Sequence, residues 1–385
     1  MRCMQSNSKL PDLKTLQPYW LMQHIILHLD LDAFYAQCEE LRKPQIAGKP
    51  VVVCVYSGRT ADSGAVGTAN YEARKLGIHS GMPIAFAKKK ATPETIFLPV
   101  DIPHYKEVSE RILEIAKSNA ARVEQAGLDE AYLDVSGVVK TFEGAEQLAK
   151  KIKKEILAQE GLTCSVGVAQ TKLLAKMASD FMKPDGLTVV KPEQQKKFMH
   201  EMGVKKLFGI GPKTEEALAE IGIKTIGELA GAKKEFLVQV FGEKKGTQLH
   251  EFANGIDERP VEGDIEKQQL SRIGTLKQDS GEFSEINPFV EKLAEELYER
   301  VLGQKKMYRS VSVIAITNRL QTFTKSRTID APKGDLVTIS ETAASLLGEF
   351  LNENKGIVLR RVGVRVSNLI DAHESGKVQR TLGDF

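Results

Sequence analysis

Asp30 closes the apolar run "HIILHLDLD", with Asp32 two residues further on, and Asp129 and Glu130 stand side by side in "GLDEAYLDVS". A carboxylate inside a half-apolar strand is costly unless a cation or hydrogen bonds compensate it. Along a strand Asp30 and Asp32 share one side, whereas adjacent Asp129 and Glu130 face opposite sides. Two such strand ends brought together suit a pair of Mg²⁺ ions about 4 Å apart, the arrangement that drives in-line phosphoryl or nucleotidyl transfer. One ion lowers the pKa of an attacking hydroxyl and the other takes the charge of the leaving group. Solvent-facing acids that protect edge strands give the same local pattern, so the pairing of the two strands has to decide.

Other residue types fit the same chemistry. Phe34 and Tyr35 follow Asp30 at the start of a helix, where a ring can pack beside a nucleotide sugar and exclude a 2′-hydroxyl, or simply fill a core. The stretch "SGAVGTANYEARKLG" supplies Thr68, Tyr71 and Arg74, the last two three residues apart on one helical face. Tyr and Arg so placed can grip a triphosphate through charge-assisted hydrogen bonds. The glycines between Ser63 and Thr68 do not form a Walker loop. Lys183 in "MKPDG" lies between a helix and a turn, where an ammonium also reaches phosphates. In "LFGIGPKTEEALAEIG", Gly209, Gly211 and Lys213 open a helix whose N-terminal N–H groups make an anion site. That pattern resembles a helix-hairpin-helix, which holds a nucleic-acid backbone without reading bases; an ordinary turn between helices is the alternative.

The elements that must position these groups divide the chain by composition. Apolar residues at 42% and charged residues at 27% over 385 positions are globular composition, enough for several domains. No apolar run is long enough to span a bilayer, and the N-terminus lacks the pattern of a secretory signal. Cys3, Cys38, Cys54 and Cys164 lie far apart, which indicates neither a zinc knuckle nor a disulfide framework and fits a reducing compartment. Strands and helices alternate from Ile25 to about residue 190, a short helical region follows, and the polar segment "GIDERPVEGDIEKQQLSRIGTLKQD" reads as a tether.

The net charge of +3 argues little, but its distribution is uneven. Lys305, Lys306, Arg309, Arg319, Lys325 and Arg327 occupy a stretch without acids, as do Lys355, Arg360, Arg361 and Arg365. Both stretches contain alternating strands, which are expected to turn apolar residues to one face and Arg or Lys to the other. A basic sheet face suits a sugar-phosphate backbone; a plain solvated face is the alternative. Acidic helices between the strands conceal the effect in the total.

In this order, "DLDAFYAQCEE", "GKPVVVC", "SGAVGTANYEARKLGI", "LDEAYLDVS", "SVGVAQTKLLAKMASDFMKPDG" and "GIGPKT" resemble the motifs of the Y-family DNA polymerases of DinB (polymerase IV) type, archaeal-like, over roughly residues 25–369. The resemblance implies an α+β multidomain right-hand polymerase. Its palm would take residues 25–33 and 100–190, its fingers 34–99, and its helix-hairpin-helix thumb 191–257. A linker at 258–269 and an α/β little finger at 270–370 would follow, with a poorly structured leader at 1–24 and a tail at 371–385. It implies a template-directed, Mg²⁺-dependent polymerase of low fidelity that copies past damaged bases. Primer-template DNA and deoxynucleoside triphosphates would be its partners, and it would act as a cytoplasmic, nucleoid-associated monomer. No segment resembles a proofreading exonuclease.

Carried over by position, Asp30, Asp129 and Glu130 become the catalytic carboxylates that hold two Mg²⁺ ions, with the backbone carbonyl of Leu31 assisting. Tyr35 takes the sugar-gate position beside Phe34. Thr68, Tyr71, Arg74 and Lys183 contact the triphosphate, and Val55 and Ala65 form a small roof over the nascent base pair. Where the family usually has Ser-Ile before the Asp-Glu pair, this chain has Gly127 and Leu128. At the C-terminus Gln379, Leu382 and Phe385 resemble a peptide that plugs into a PCNA-type sliding clamp, although the chain stops where a second aromatic usually follows. Metal-dependent phosphodiester hydrolysis would use the same carboxylates without a sugar gate. A DNA-binding, clamp-tethered scaffold with a weakened active site is the non-enzymatic alternative, and Gly127 is its one support.

Overall fold

The computed structural model describes residues 24–263 and 268–372. They fall into two compact units, one drawn from Met1–Lys49 and Val100–Ile265, the other from Pro50–Pro99 and Glu266–Phe385. Elements are numbered in chain order.

The first unit is built on a five-stranded sheet. Its strands β1 (Ile26–Leu31), β5 (Arg122–Gln125), β6 (Glu130–Asp134), β7 (Cys164–Ala169) and β8 (Leu187–Val189) run in the order β5-β6-β1-β7-β8. Central β1 is buried on both faces, which is why its sequence is almost continuously apolar instead of alternating. Helices α1 (Phe34–Arg42), α4 (Ile102–Lys117), α5 (Phe142–Glu160) and α6 (Lys172–Ser179) accompany the sheet. Local chemistry starts three of them: Asp101, Thr141 and Thr171 each accept a backbone N–H three residues on, satisfying donors the first turn leaves unpaired. Gly167 in β7 lets α6 press close, because a Cβ there would lie 2.0 Å from the carbonyl oxygen of Ala175. Helices α7 (Gln195–His200), α8 (Pro212–Glu220), α9 (Ile226–Gly231), α10 (Lys234–Phe241) and α11 (Glu243–Ala253) form a small bundle. Leu218, Leu229, Leu237 and Leu249 of this bundle share one core with Leu173, Leu174 and Met177 of α6.

The start of the polar tether is seated on this unit. Glu124 accepts from Lys172 Nζ at 2.6 Å and from the backbone N–H of Glu262 at 2.8 Å, while Asp257 accepts from Leu173 N at 2.9 Å. Val261 is fully buried. As far as Glu262, therefore, the segment is docked chain and not free linker.

The second unit holds two sheets. Strands β2 (Val51–Tyr56), β3 (Gly64–Ala69) and β4 (Ile96–Pro99), in the order β3-β2-β4, pack with α2 (Tyr71–Lys75) and α3 (Ile84–Lys90). Strands β9 (Gln269–Ser280), β10 (Lys306–Thr317), β11 (Thr322–Lys333) and β12 (Leu359–Ser367), in the order β11-β10-β12-β9, carry α12 (Phe283–Gly303) and α13 (Leu336–Glu353) on one face, and short β13 (Ile370–Asp371) pairs with β10. Arg59 joins the two sheets through Asp279 (2.8 Å) and the carbonyl of Lys277 (3.1 Å). The expected α+β multidomain class holds. Among the described residues no helix is long and apolar enough to cross a membrane.

Candidate active site

Antiparallel pairing of β1 with β6 and β7 sets Asp30 opposite Glu130 on one side and Ser165 on the other. Leu31 N donates to the carbonyl of Asp129 at 2.8 Å, so all three carboxylates gather where these central strands end. Asp32 is not a spare ligand. It is buried, and its oxygens accept from Thr163 Oγ1 (3.0 Å), Ser165 Oγ (2.8 Å) and Asp185 N (2.8 Å).

Two lysines face the carboxylates. Lys183 Nζ lies 2.7 Å from Asp30 Oδ1 and 2.8 Å from Asp180 Oδ1. Lys176 Nζ donates to Glu130 Oε2, and His28 Nε2 stands 3.4 Å from the same oxygen. His28 is fully buried in β1, its Nδ1 2.7 Å from Ser179 Oγ. Burial pushes Asp30 up to about 6, against the pull of Lys183. Burial also raises Asp129, with the charge of Glu130 adding to it. His28 and then Lys176 hold Glu130 down at about 2 despite its burial. Neighbouring carboxyls with such divergent proton affinities mark a site where charge is managed.

Among the described residues, no three His, Cys, Asp or Glu side chains converge on one point as they stand. Asp30 and Glu130 instead meet Lys183 and Lys176. The donor set is nonetheless all oxygen, which suits a hard divalent ion, and the pocket already concentrates positive charge on these oxygens. A hard divalent ion would therefore suit Asp30, Asp129 and Glu130 if their side chains turned from the lysines.

Tyr35 leads from α1 and stacks on Tyr105 of α4, ring centroids 4.4 Å apart and planes 12° from parallel. Phe34 is 1% exposed. It is a core residue, so its expected contact with a nucleotide is withdrawn.

The remaining nucleotide candidates stand on the second unit. Thr68 is in β3 opposite Val53, and Val55 pairs with Ala65. Val55 is half exposed. The guanidinium of Arg74 sits 4.7 Å from the centroid of the Tyr71 ring, so the three-residue spacing does bring them together. Asn70 caps this short helix, accepting from Ala73 N. On the first unit, Gly209 at φ +86° makes the turn before α8 in a conformation that favours glycine; Gly211 is the N-cap, Pro212 opens the helix and Lys213 is exposed.

The basic strands require a correction. On β11, Phe323, Lys325, Arg327 and Ile329 alternate onto the same face, which the register sets beside Val311, Val313 and Ala315 of the helix-covered core. Lys325 pairs with Glu349 and Glu353 of α13, and Arg327 donates to Glu349. Both are therefore neutralised on the helix side. Arg361 and Arg365 lie on the opposite face, in cross-strand rows with Ser312 and Ile316, where Thr324, Ser326 and Thr328 are exposed. Arg309 and Arg319 are exposed and Arg360 is half buried. Gln379, Leu382 and Phe385 lie outside the described residues.

Sequence reasoning missed His28, Lys176, Glu39 and Tyr105. Lys176 had a signal: it stands four residues after Lys172 in the apolar helix α6, where a lysine packed among buried residues needs an acidic partner.

Residues 29–180 match the impB/mucB/samB family, residues 267–382 its C-terminal domain, and residues 205–257 a thumb domain described for DNA polymerase-iota. The chain is 43% identical to a DNA polymerase IV of Methanosarcina acetivorans over 95% of its own length and 100% of that protein. It is 40% identical to a DNA polymerase IV of Nitrosopumilus maritimus, over 90% of this chain and 96% of that one. A solved Y-family DNA polymerase chimera of Dbh and Dpo4 superposes with a TM-score of 0.84 at 38% identity, covering 90% of this chain and 99% of that one. An insertion ternary complex of Dbh DNA polymerase superposes at 0.66, also at 38% identity and with the same coverage.

Proposed function

This chain belongs to the impB/mucB/samB family, the Y-family DNA polymerases of DinB type, and we propose that it extends a primer 3′ end by two-metal nucleotidyl transfer, without proofreading, and copies past damaged bases. The observation that carries the reading is the β1–β6 register, which sets Asp30 opposite Glu130 with Asp129 beside it. When bound, two Mg²⁺ ions would activate the primer hydroxyl and neutralise the leaving pyrophosphate. Asp30, Asp129 and Glu130 would hold them, with the carbonyl of Leu31. Lys183 would exchange its contact with Asp30 for the triphosphate, and Thr68, Tyr71 and Arg74 are triphosphate contacts by their positions in the motifs. Tyr35 would meet the sugar. Val55 and Ala65, being small, would leave room for altered bases, so discrimination would rest mainly on base pairing.

DNA would be held by backbone N–H groups around Gly209 and Gly211, by Lys213, and by the face bearing Arg361 and Arg365. Lys325 and Arg327 are weaker candidates because Glu349 and Glu353 already neutralise them. Primer extension with Mg²⁺ and deoxynucleotides, on a template carrying one abasic site, tests the reading. Synthesis through the lesion is expected. DNA binding without extension even on undamaged template would instead support the scaffold.

Gly127 gives a sharper test of the site. A Cβ there would lie 3.2 Å from both Asp129 Oδ1 and Glu130 Cγ, so a side chain restricts where those two carboxylates can swing. Gly127→Ser is expected to equal or raise kcat/KM and to lower the Mg²⁺ concentration for half-maximal rate. A large loss of rate would mean that the space beside Gly127 is needed.

The C-terminal peptide would tether the enzyme to a sliding clamp of PCNA type. Deleting residues 379–385 is expected to abolish stimulation by the clamp while leaving unassisted primer extension intact, and undiminished stimulation would remove the tether from the proposal.

A further inference from the structure

Glu39 is a buried carboxylate that the chemistry above does not use. It is 2% exposed, lies one helical turn beyond Tyr35 on α1, and shares its face. A buried acid persists only where its oxygens are fully engaged, and those of Glu39 are. Tyr105 Oη donates to Oε1 at 3.0 Å, Arg42 Nη1 to the same oxygen at 3.3 Å, and Lys43 Nζ to Oε2 at 2.8 Å. Arg42 also reaches Asp101 Oδ2 at 2.9 Å, and Asp101 is the N-cap of α4, the helix that carries Tyr105. The tyrosine so anchored is fully buried, and its ring is the one stacked against Tyr35 at 4.4 Å.

We propose that Glu39 is the positioning residue of the sugar gate: it fixes the hydroxyl of Tyr105, whose ring in turn backs Tyr35. The inference rests on reading Tyr35 as that gate. A barrier that rejects one hydroxyl by contact works only if it cannot yield, because displacement by a fraction of an ångström relieves a steric clash. Tyr35 is attached to α1 at one end, and its flat support is Tyr105. The hydrogen bond to Glu39 anchors the hydroxyl end of the Tyr105 ring, so loss of either partner frees the support. The network thus runs from paired charges at the protein surface to the face that would meet the 2′ carbon.

The measurement is single-nucleotide insertion, comparing kcat/KM for a deoxynucleotide and for the matching ribonucleotide. Glu39→Ala is expected to lower the deoxy-to-ribo ratio on the order of tenfold, the value of about one buried hydrogen bond. Glu39→Gln keeps an acceptor for Tyr105 and is expected to stay near the parent ratio. Tyr105→Phe removes the same hydrogen bond from the other side while keeping the ring; it should shift the ratio in the same direction, and it reads the effect if Glu39→Ala does not fold. Combining Glu39→Ala with Tyr35→Ala should lower the ratio no further than Tyr35→Ala alone. A loss of stability by itself would slow both sugars and leave the ratio where it was. If Tyr35→Ala lowers the ratio and neither Glu39→Ala nor Tyr105→Phe does, the positioning role is wrong and the gate stands. If Tyr35→Ala leaves the ratio unchanged, the gate reading fails first.

Discussion

Replacing Glu130 with Gln, or Asp30 with Asn, is expected to cut primer extension by roughly a thousandfold or more while the protein stays folded. Charge stabilisation by a bound divalent ion is worth several kcal/mol, and each 1.36 kcal/mol is about tenfold in rate. Glu130 also organises its surroundings, since it accepts from Lys176 and faces His28; Glu130→Gln leaves that lysine without an anion. Some loss of stability is expected there. Asp30 behaves in the opposite way. Burial raises it to about 6, so the fold prefers its neutral form. A raised carboxyl contributes stability that is present below its unfolded value and lost as pH rises through the folded one. At neutral pH the ionised Asp30 is therefore a cost, and Asp30→Asn is expected to melt no lower than the parent while being inactive. The same shift predicts that the apparent Mg²⁺ affinity of the free protein falls as pH drops through about 6, where Asp30 takes up its proton. Thermal melts beside primer extension, across pH 5 to 8, read all three effects. Substantial activity in either variant would take that carboxylate out of the metal site.

Removing the ring of Tyr35 is the second large effect expected. Tyr35→Ala should let ribonucleotides in, reducing the preference for deoxynucleotides by about a hundredfold. A wall that merely excludes a hydroxyl reaches discrimination of that order. Incorporation of deoxynucleotides should suffer less, because Tyr35 contacts only the sugar in this reading. The neighbouring Phe34 provides the control for position: its ring is buried, so Phe34→Leu should lower stability and leave sugar selection alone. A Tyr35→Ala variant that still refused ribonucleotides would move the gate to another residue.

Much of the site was legible because it depends on short-range order. Asp30 ends an apolar run and Asp129-Glu130 begins another, so both lie at strand ends whatever the pairing. Tyr71 and Arg74 meet because three residues of helix bring side chains onto one face. The reading of the basic strands failed where it ignored its own alternation. Phe323 and Ile329 have the parity of Lys325 and Arg327, and an edge strand lets long side chains on the core face reach out to acids on a helix. Phe34 illustrates a different limit, since adjacent aromatics at a helix start look alike in sequence while only one of them faces the core.

By itself, the sequence determined which residues are candidates for the chemistry, which elements they sit on, and, through motif order, which family the chain belongs to. Helix caps, strand period and the placement of glycines are local, and each is decided within a few residues by backbone geometry and hydrogen-bonding capacity. Tertiary structure alone decided the partners. Asp30 faces Glu130 across 100 residues, Lys183 and Lys176 engage those carboxylates, and Tyr105 of α4 supports Tyr35 of α1. Contacts between distant segments are set by the burial of whole elements against one another. A carboxylate's proton affinity follows from the cations and the dry surroundings that this packing brings, and neither is written at the position of the carboxylate itself.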